Sequence, residues 1–159
     1  MSKNKNKRID EPFVEKRVKK FLEREGFVDK SKNKELWEHG VDIKMKHNDC
    51  GWYYLVECKG EPGARGPVKS FGGSMSSSIN SAIGQAVSRM HTNKKSRYGG
   101  YNFGIAFPIS FRGKVLERVP HYVCKMIRLC LFFVSHSGEV EKINWSKLKK
   151  IQRLAKIGV

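Results

Sequence analysis

The chain has 159 residues, with 32 Lys and Arg against 15 Asp and Glu, which gives a formal net charge of +17 at pH 7. This length suits one domain with a single core. No apolar run approaches the roughly 18 residues that cross a bilayer, and no apolar stretch follows the lysine-rich start as it would in a secretory signal. The sequence therefore predicts a soluble, cytoplasmic protein without a membrane partner.

The N-terminal half predicts a helix and a hairpin. The first ten residues are polar and lysine-rich, which predicts a disordered basic tail over 1–10 and one domain over 11–159. Val14, Val18 and Leu22 recur with the period of a helix, and Gly26 is placed to end it. Residues 41–46 alternate apolar and polar side chains, and a turn joins them to a second predicted strand over 52–59, so this part predicts a β-hairpin.

The C-terminal half alternates helices and strands. Residues 60–78 are rich in Gly, Ser and Pro and predict a long flexible loop, after which apolar residues from Ile79 to Met90 predict an amphipathic helix. Strands are expected over 101–107 and 129–134 and near Val140 and Ile143. Helices are expected over 119–127 and after a cap at Asn144 or Ser146. The predicted fold class is α/β, a mixed β-sheet flanked by helices.

Two ligand classes are not supported by any motif. The cysteines and histidines do not have the spacing of a zinc finger, and no GxxxxGK[ST] sequence is present. We therefore expect no structural zinc and no nucleotide cofactor.

The cations are distributed unevenly. Residues 62–114 hold no carboxylate but eight cations, and residues 142–159 hold six cations and no acid. Such a surface predicts a nucleic-acid partner, because neutralising phosphates releases counterions. That partner would place the protein on the nucleoid, or in the nucleus if the host is eukaryotic or viral. The candidate phosphate contacts are Arg65, Lys69, Arg89, Lys94, Lys95 and Arg97.

The predicted hairpin brings two carboxylates together. With a turn centred between Asp49 and Cys50, Asp42 faces Glu57. Facing carboxylates repel each other, and a divalent cation with hard oxygen ligands would offset that cost. Lys59 lies on the same face because side chains alternate along a strand. The pattern predicts a metal site beside a lysine, although an ordinary exposed strand face with a Lys59 ion pair would also fit.

These residues resemble the PD-(D/E)xK nuclease superfamily, in which an acid at the start of one strand precedes an ExK sequence at the end of the next. Gly40-Val41-Asp42 and Glu57-Cys58-Lys59 match that motif, with valine in place of the usual proline. Glu15, which precedes the helix-ending Gly26, resembles the helix-one glutamate of archaeal Holliday-junction resolvases and Mrr-type nucleases. Gln85 resembles the glutamine that closes the site in many relatives.

The resemblance implies a role for each residue. Asp42, Glu57 and the backbone carbonyl of Cys58 would hold Mg²⁺ or Mn²⁺, and Glu15 would bind the metal through a water. Lys59 would position the attacking water. The glutamine on the following helix would support the site or touch the phosphate.

The fold and activity implied are those of a restriction-endonuclease-like domain. Its core order is α-β-β-β-α-β, and its members hydrolyse phosphodiester bonds with Mg²⁺. We expect a DNA endonuclease acting on double-stranded or branched DNA, as a homodimer if it cuts both strands. Two alternatives remain open: a non-catalytic nucleic-acid-binding module of the same fold, and an RNA-directed nuclease.

Overall fold

The computed structural model describes residues 7–34, 38–64, 66–67, 70–91, 95–96 and 98–157. Within these ranges the chain forms an α/β fold with a mixed sheet between helices, which confirms the predicted fold class. None of the described helices combines the length and the apolar character that a membrane span needs. The helices are α1 (Glu11–Arg24), α2 (Phe71–Ser88), α3 (Arg112–Arg118), α4 (His121–Ile127) and α5 (Trp145–Ile157). The strands are β1 (Phe27–Asp29), β2 (Ile43–His47), β3 (Gly51–Cys58), β4 (Lys95–Ser96), β5 (Gly99–Pro108), β6 (Leu129–Val134) and β7 (Val140–Ile143).

The sheet has the strand order β1-β2-β3-β5-β6-β7, and β4 pairs with the first residues of β5. The first three strands form an antiparallel meander, β5 and β6 continue parallel to β3, and β7 closes the far edge antiparallel to β6. The two short strands β1 and β4 add to the strands expected from the sequence. Together, β1, β2 and β3 lie between α1 and α2 in the chain.

The β2–β3 hairpin has the predicted register. Ile43 pairs with Val56, and Met45 pairs with Tyr54. These four side chains are buried on one face of the sheet, as the alternation of apolar and polar residues predicts. The ladder begins at Ile43, so the segment that carries Asp42 enters the hairpin directly ahead of its first pair.

Helix α1 packs against that face of the sheet. Asp10 caps its first turn by accepting a hydrogen bond from the backbone N–H of Phe13 at 3.0 Å. Val14, Val18 and Leu22 are fully buried, as their spacing predicts. They form one hydrophobic core with β2 and β3, while α2 and the later helices cover the opposite face.

Helix α2 begins earlier than predicted, so the expected flexible loop over 60–78 is wrong for its last eight residues. Ser70 caps the helix by accepting from the N–H of Gly73 at 3.1 Å. Met75 continues the buried stripe of Ile79, Ala82 and Ala86 by one helical turn. Glycine and serine are poor helix formers, but burial of this stripe overrides their low propensity.

The predicted disordered tail over 1–10 is wrong for its last residues, while residues 1–6 lie outside the described part of the chain. Ile9 is buried. Its N–H donates to the Glu61 carboxylate and its carbonyl accepts from the Glu61 N–H, both at 2.8 Å. The segment before α1 is therefore attached to the segment that follows β3.

Candidate active site

Asp42 and Glu57 meet where β2 begins and β3 ends. The Asp42 carboxylate accepts a hydrogen bond from the backbone N–H of Cys58 at 2.7 Å. This bond ties the residue before β2 to the last residue of β3, one position beyond Glu57. The structure thus brings together the two carboxylates that the hairpin register places opposite each other.

Lys59 connects this pair to helix α2. Its ammonium group donates to Oε1 of Glu57 at 3.1 Å and to the side-chain oxygen of Gln85 at 2.6 Å. The backbone N–H of Lys59 donates to the carbonyl of Ala106 on β5 at 2.9 Å, which holds the residue at the end of the sheet. Four of the five predicted catalytic residues therefore lie around one point.

One oxygen of the site is buried without a partner. The Glu57 side chain is only 6% exposed, and its Oε2 atom has no hydrogen-bond partner within the described part of the chain. Buried polar atoms almost always have a partner, so an orphaned carboxylate oxygen needs an explanation. A cation bound between Glu57 and Asp42 would supply one, because two carboxylate oxygens suit Mg²⁺ or Mn²⁺.

The electrostatics of the site also favour a bound cation. Burial raises the pKa of Asp42 above its ordinary value, and the nearby charge of Glu15 adds to the rise, although the bond from Cys58 opposes it. Burial and the charge of Asp42 raise the pKa of Glu57, against the lowering effect of Lys59. Burial therefore disfavours the charged form of both carboxylates, and the nearby Lys59 offsets this only in part. A divalent cation would stabilise both charged forms.

Glu15 is near this site but has its own partner. Its carboxylate forms an ion pair with Lys19 at 2.9 Å, and the same lysine contacts Asp29 at 3.3 Å. Glu11, an acid of α1 that the sequence analysis did not single out, lines a cleft of about 340 Å³ together with Lys59. Its position one helical turn from Glu15 was the feature of the sequence that could have indicated it.

Most of the predicted phosphate contacts lie outside the residues that the structure describes. This applies to Arg65, Lys69, Lys94 and Arg97 and to the side chain of Lys95.

Arg89 is described, and it is half-buried at the C-terminal end of α2. Its guanidinium group lies against Gly40, whose φ of +90° suits glycine, and its Nε atom is buried with no hydrogen-bond partner among the described residues. Arg89 and Glu57 line the same small internal cavity, so Arg89 lies beneath the site rather than on the open surface.

The donor set itself is small. Among the described residues, no group of three or more His, Cys, Asp or Glu side chains forms a ready metal cluster. A cation here would need two carboxylates supplemented by main-chain oxygen and water, which is how Mg²⁺ is commonly held in proteins.

Models of protein families, curated proteins and solved structures were compared with this chain, and none of them matches it. What the protein does is therefore inferred from the geometry of the site and the charge of the chain.

Proposed function

We propose that this chain is a Mg²⁺- or Mn²⁺-dependent DNA endonuclease of the restriction-endonuclease-like class. The observation that carries the proposal is a buried Glu57 oxygen near Asp42 that has no partner in the described part of the chain, with Lys59 on the same carboxylate. The order α1-β1-β2-β3-α2-β5, with β5 parallel to β3, supports it because it follows the α-β-β-β-α-β order of that class.

Asp42, Glu57 and the carbonyl of Cys58 would hold the cation. When bound, the cation supplies Lewis-acid stabilisation of the charge that develops on the scissile phosphate. The two carboxylates would not stabilise that charge themselves. They would hold the cation at the end of β3, where the sheet fixes the backbone.

Lys59 would act on the water and the phosphate. Its ammonium group is held between Glu57 and Gln85, so it is oriented before substrate arrives. In hydrolysis the water oxygen bonds to phosphorus, the ester P–O bond breaks, and the leaving oxygen gains a proton while the water loses one. A lysine beside the phosphate would orient the attacking oxygen and stabilise the negative charge on the pentavalent phosphorus.

The net charge of +17 supports a nucleic acid as substrate, and we propose DNA, double-stranded or branched. One site hydrolyses one strand at a time, so cutting both strands would use a homodimer. RNA carries the same backbone charge, and it is therefore one arm of the test.

The first experiment measures cutting of supercoiled plasmid, a branched DNA oligonucleotide and an RNA hairpin with Mg²⁺, Mn²⁺ or EDTA. We expect metal-dependent cutting of DNA that falls at least about 100-fold in Glu57→Gln and in Lys59→Ala, the range for loss of one electrostatic contact to a transition state. Glu117→Gln, an exposed acid on α3, is the matched control and should cut like the wild type.

Other outcomes would redirect the proposal. Tight, salt-sensitive DNA binding without cutting in either metal would favour the non-catalytic binding module. Cutting of the RNA hairpin alone would favour an RNA-directed nuclease. Cutting of DNA that persists in EDTA or in Glu57→Gln would place the activity elsewhere.

A further inference from the structure

A second cleft lies at the edge of the sheet where β3, β5 and β6 end. Its volume is about 330 Å³, and its lining comes from the segment ahead of α1, the first turn of α1 and the turn between β6 and β7. The lining residues are Lys7, Arg8, Ile9, Asp10, Phe13 and His136. Because β3, β5 and β6 are parallel, this basic cleft and the candidate active site lie at the same edge of the sheet.

The segment ahead of α1 is held in place by contacts with distant parts of the chain. Ile9 is buried and exchanges two hydrogen bonds with Glu61, both at 2.8 Å. Arg8 donates to the carbonyl of Pro62, and its guanidinium carbon lies 5.1 Å from the centre of the Phe71 ring. The cationic side of the cleft is therefore positioned before a ligand arrives, which lowers the entropic cost of binding.

The turn between β6 and β7 contributes the exposed side chain of His136. Arg17 of α1 packs behind this turn, with its guanidinium carbon 5.1 Å from the centre of the Phe13 ring. A Cβ atom at Gly138 would lie 2.5 Å from Nε of Arg17, so the arginine is in close contact with the turn. That Nε atom is buried and has no hydrogen-bond partner among the described residues. A further positive charge therefore lies beside the cleft.

The side chains of the cleft fit an anion with several acceptor oxygens. Lys7 and Arg8 are cationic, and the imidazole of His136 has an N–H that can donate. In the described part of the chain, neither the Lys7 nor the His136 side chain forms a hydrogen bond or an ion pair. The acid in the lining, Asp10, uses Oδ1 to cap α1 by accepting from the N–H of Phe13 at 3.0 Å. Positive charge and unused donors therefore predominate, which favours a phosphate group.

We propose that the basic cleft binds a non-reacting phosphate of the DNA strand whose scissile phosphate occupies the candidate active site. This inference rests on the proposed function and adds the path of the substrate. Cys58 pairs with Ala106, which pairs with Phe132, so two strand spacings, about 10 Å, separate the end of β3 from β6. That distance equals the rise of about three nucleotides in one strand of a duplex. The cleft contact would fix the register of the strand on the site.

The test measures binding of a DNA duplex by fluorescence anisotropy in EDTA, between about 50 and 200 mM salt. The double variant Lys7→Gln/Arg8→Gln should bind at least about 10-fold more weakly, and its slope of log affinity against log salt should fall by about 1–2, as for one or two lost phosphate contacts. His136→Ala should weaken binding about 5-fold, the effect of one lost hydrogen bond.

The matched control is Lys20→Gln/Arg24→Gln, which also removes one exposed lysine and one exposed arginine. These two residues lie more than about 10 Å along the axis of α1 from its first turn, so affinity should change less than about 3-fold. Lys7→Arg/Arg8→Lys keeps both charges and should bind nearly as the wild type does. Thermal unfolding shows whether each variant folds.

A second measurement tests the position of the contact. An uncharged methylphosphonate placed about three nucleotides from the cut should weaken binding by the wild type about 10-fold, but should have little effect on Lys7→Gln/Arg8→Gln. An equal loss in both proteins would place this phosphate elsewhere and overturn the inference.

The outcomes separate this inference from the proposed function. Equal weakening in the cleft variant and in the control would show an effect of net charge alone and overturn the inference. Cutting by the wild type with unchanged DNA affinity in the cleft variant would also overturn it, while the proposed function would stand. Binding that depends on the cleft, without cutting in either metal, would support a phosphate contact in a binding module and overturn the endonuclease. A wild type that neither bound nor cut DNA would overturn both.

Discussion

Two Glu–Lys ion pairs, each with one residue on the β2–β3 hairpin, differ in how completely they are satisfied. Lys44 contacts Glu38 at 2.6 Å, with side chains 8% and 0% exposed, and the hydroxyl of Tyr101 donates to the other Glu38 oxygen at 3.3 Å. Lys59 contacts Glu57 at 3.1 Å, with side chains 17% and 6% exposed, but no described residue gives the other Glu57 oxygen a hydrogen bond. We call these the closed pair and the open pair.

The two pairs differ in whether a buried oxygen lacks a hydrogen bond among the described residues. The closed pair uses both carboxylate oxygens, and its lysine also donates to the carbonyl of Asn33 at 2.7 Å. An unsatisfied buried polar atom costs about 1–3 kcal/mol, and folds retain such costs mainly at functional sites. The closed pair therefore serves the fold, and we infer that the open pair is kept for a ligand.

The largest expected effect on stability comes from breaking the closed pair. Glu38→Ala leaves the ammonium group of Lys44 buried without its counterion, and such losses cost about 3–5 kcal/mol. Urea unfolding monitored by circular dichroism measures the change. Glu117→Ala, on the exposed face of α3, is the control and should change the free energy of unfolding by less than about 0.5 kcal/mol. A loss below about 1 kcal/mol in Glu38→Ala would show that this pair does not hold the hairpin.

The open pair could be foreseen from the sequence, whereas the closed pair could not. Strand alternation places Lys59 on the same face as Glu57, two residues before it, and a turn near Asp49 places Asp42 opposite Glu57, because the hairpin register depends on local sequence. The closed pair depends on a residue outside any regular pattern, Glu38, meeting Tyr101 from a distant strand. No spacing in the sequence encodes that contact.

The same limit explains the two wrong predictions about loops. Ile9 is ordered by Glu61, a partner 52 residues away, so composition alone indicated a disordered tail. The start of α2 reads as a loop because glycines and serines dominate it, but Ser70 supplies a cap and Met75 a buried contact. In both cases tertiary contacts override local propensity. In the sequence alone, neither Ile9 nor the Ser70 cap with Met75 was a strong enough signal to outweigh the polar, Gly- and Ser-rich composition of these segments.

The second prediction concerns the pH dependence of the open pair. Because the pKa of Glu57 is raised in the folded state, protonation favours folding. This contribution to stability is fully present below the ordinary carboxyl value of 4.5 and is lost as pH rises through the higher folded value. In EDTA, Glu57→Gln should therefore be more stable than the wild type at pH 7, by about 0.5–2 kcal/mol, and the advantage should shrink at lower pH.

The difference between the two unfolding curves at each pH is the measured quantity, since it cancels the titration of the other groups. Adding Mn²⁺ at pH 7 should stabilise the wild type by about 2.7 kcal/mol at 100 times its dissociation constant, and should not stabilise Glu57→Gln. A Glu57→Gln variant that is less stable than the wild type at every pH would indicate that the open pair is structural as well.

The smallest effects are expected when the uncharged side chain that contacts each pair is replaced, which is Tyr101 for the closed pair and Gln85 for the open pair. These two replacements distinguish a structural role from a role in cutting. Tyr101→Phe removes the hydroxyl bond to Glu38 and keeps the ring stacked on Tyr53, with centroids 5.0 Å apart, so it should cost about 0.5–1.5 kcal/mol and leave cutting unchanged. Gln85→Met removes the acceptor that orients Lys59, so it should leave stability within about 0.5 kcal/mol and lower the cutting rate about 10-fold. Urea unfolding and single-turnover plasmid cutting measure the two quantities on each variant. If Gln85→Met lost stability and kept its cutting rate, the open pair would be a second structural pair, and the distinction drawn between the two would not hold.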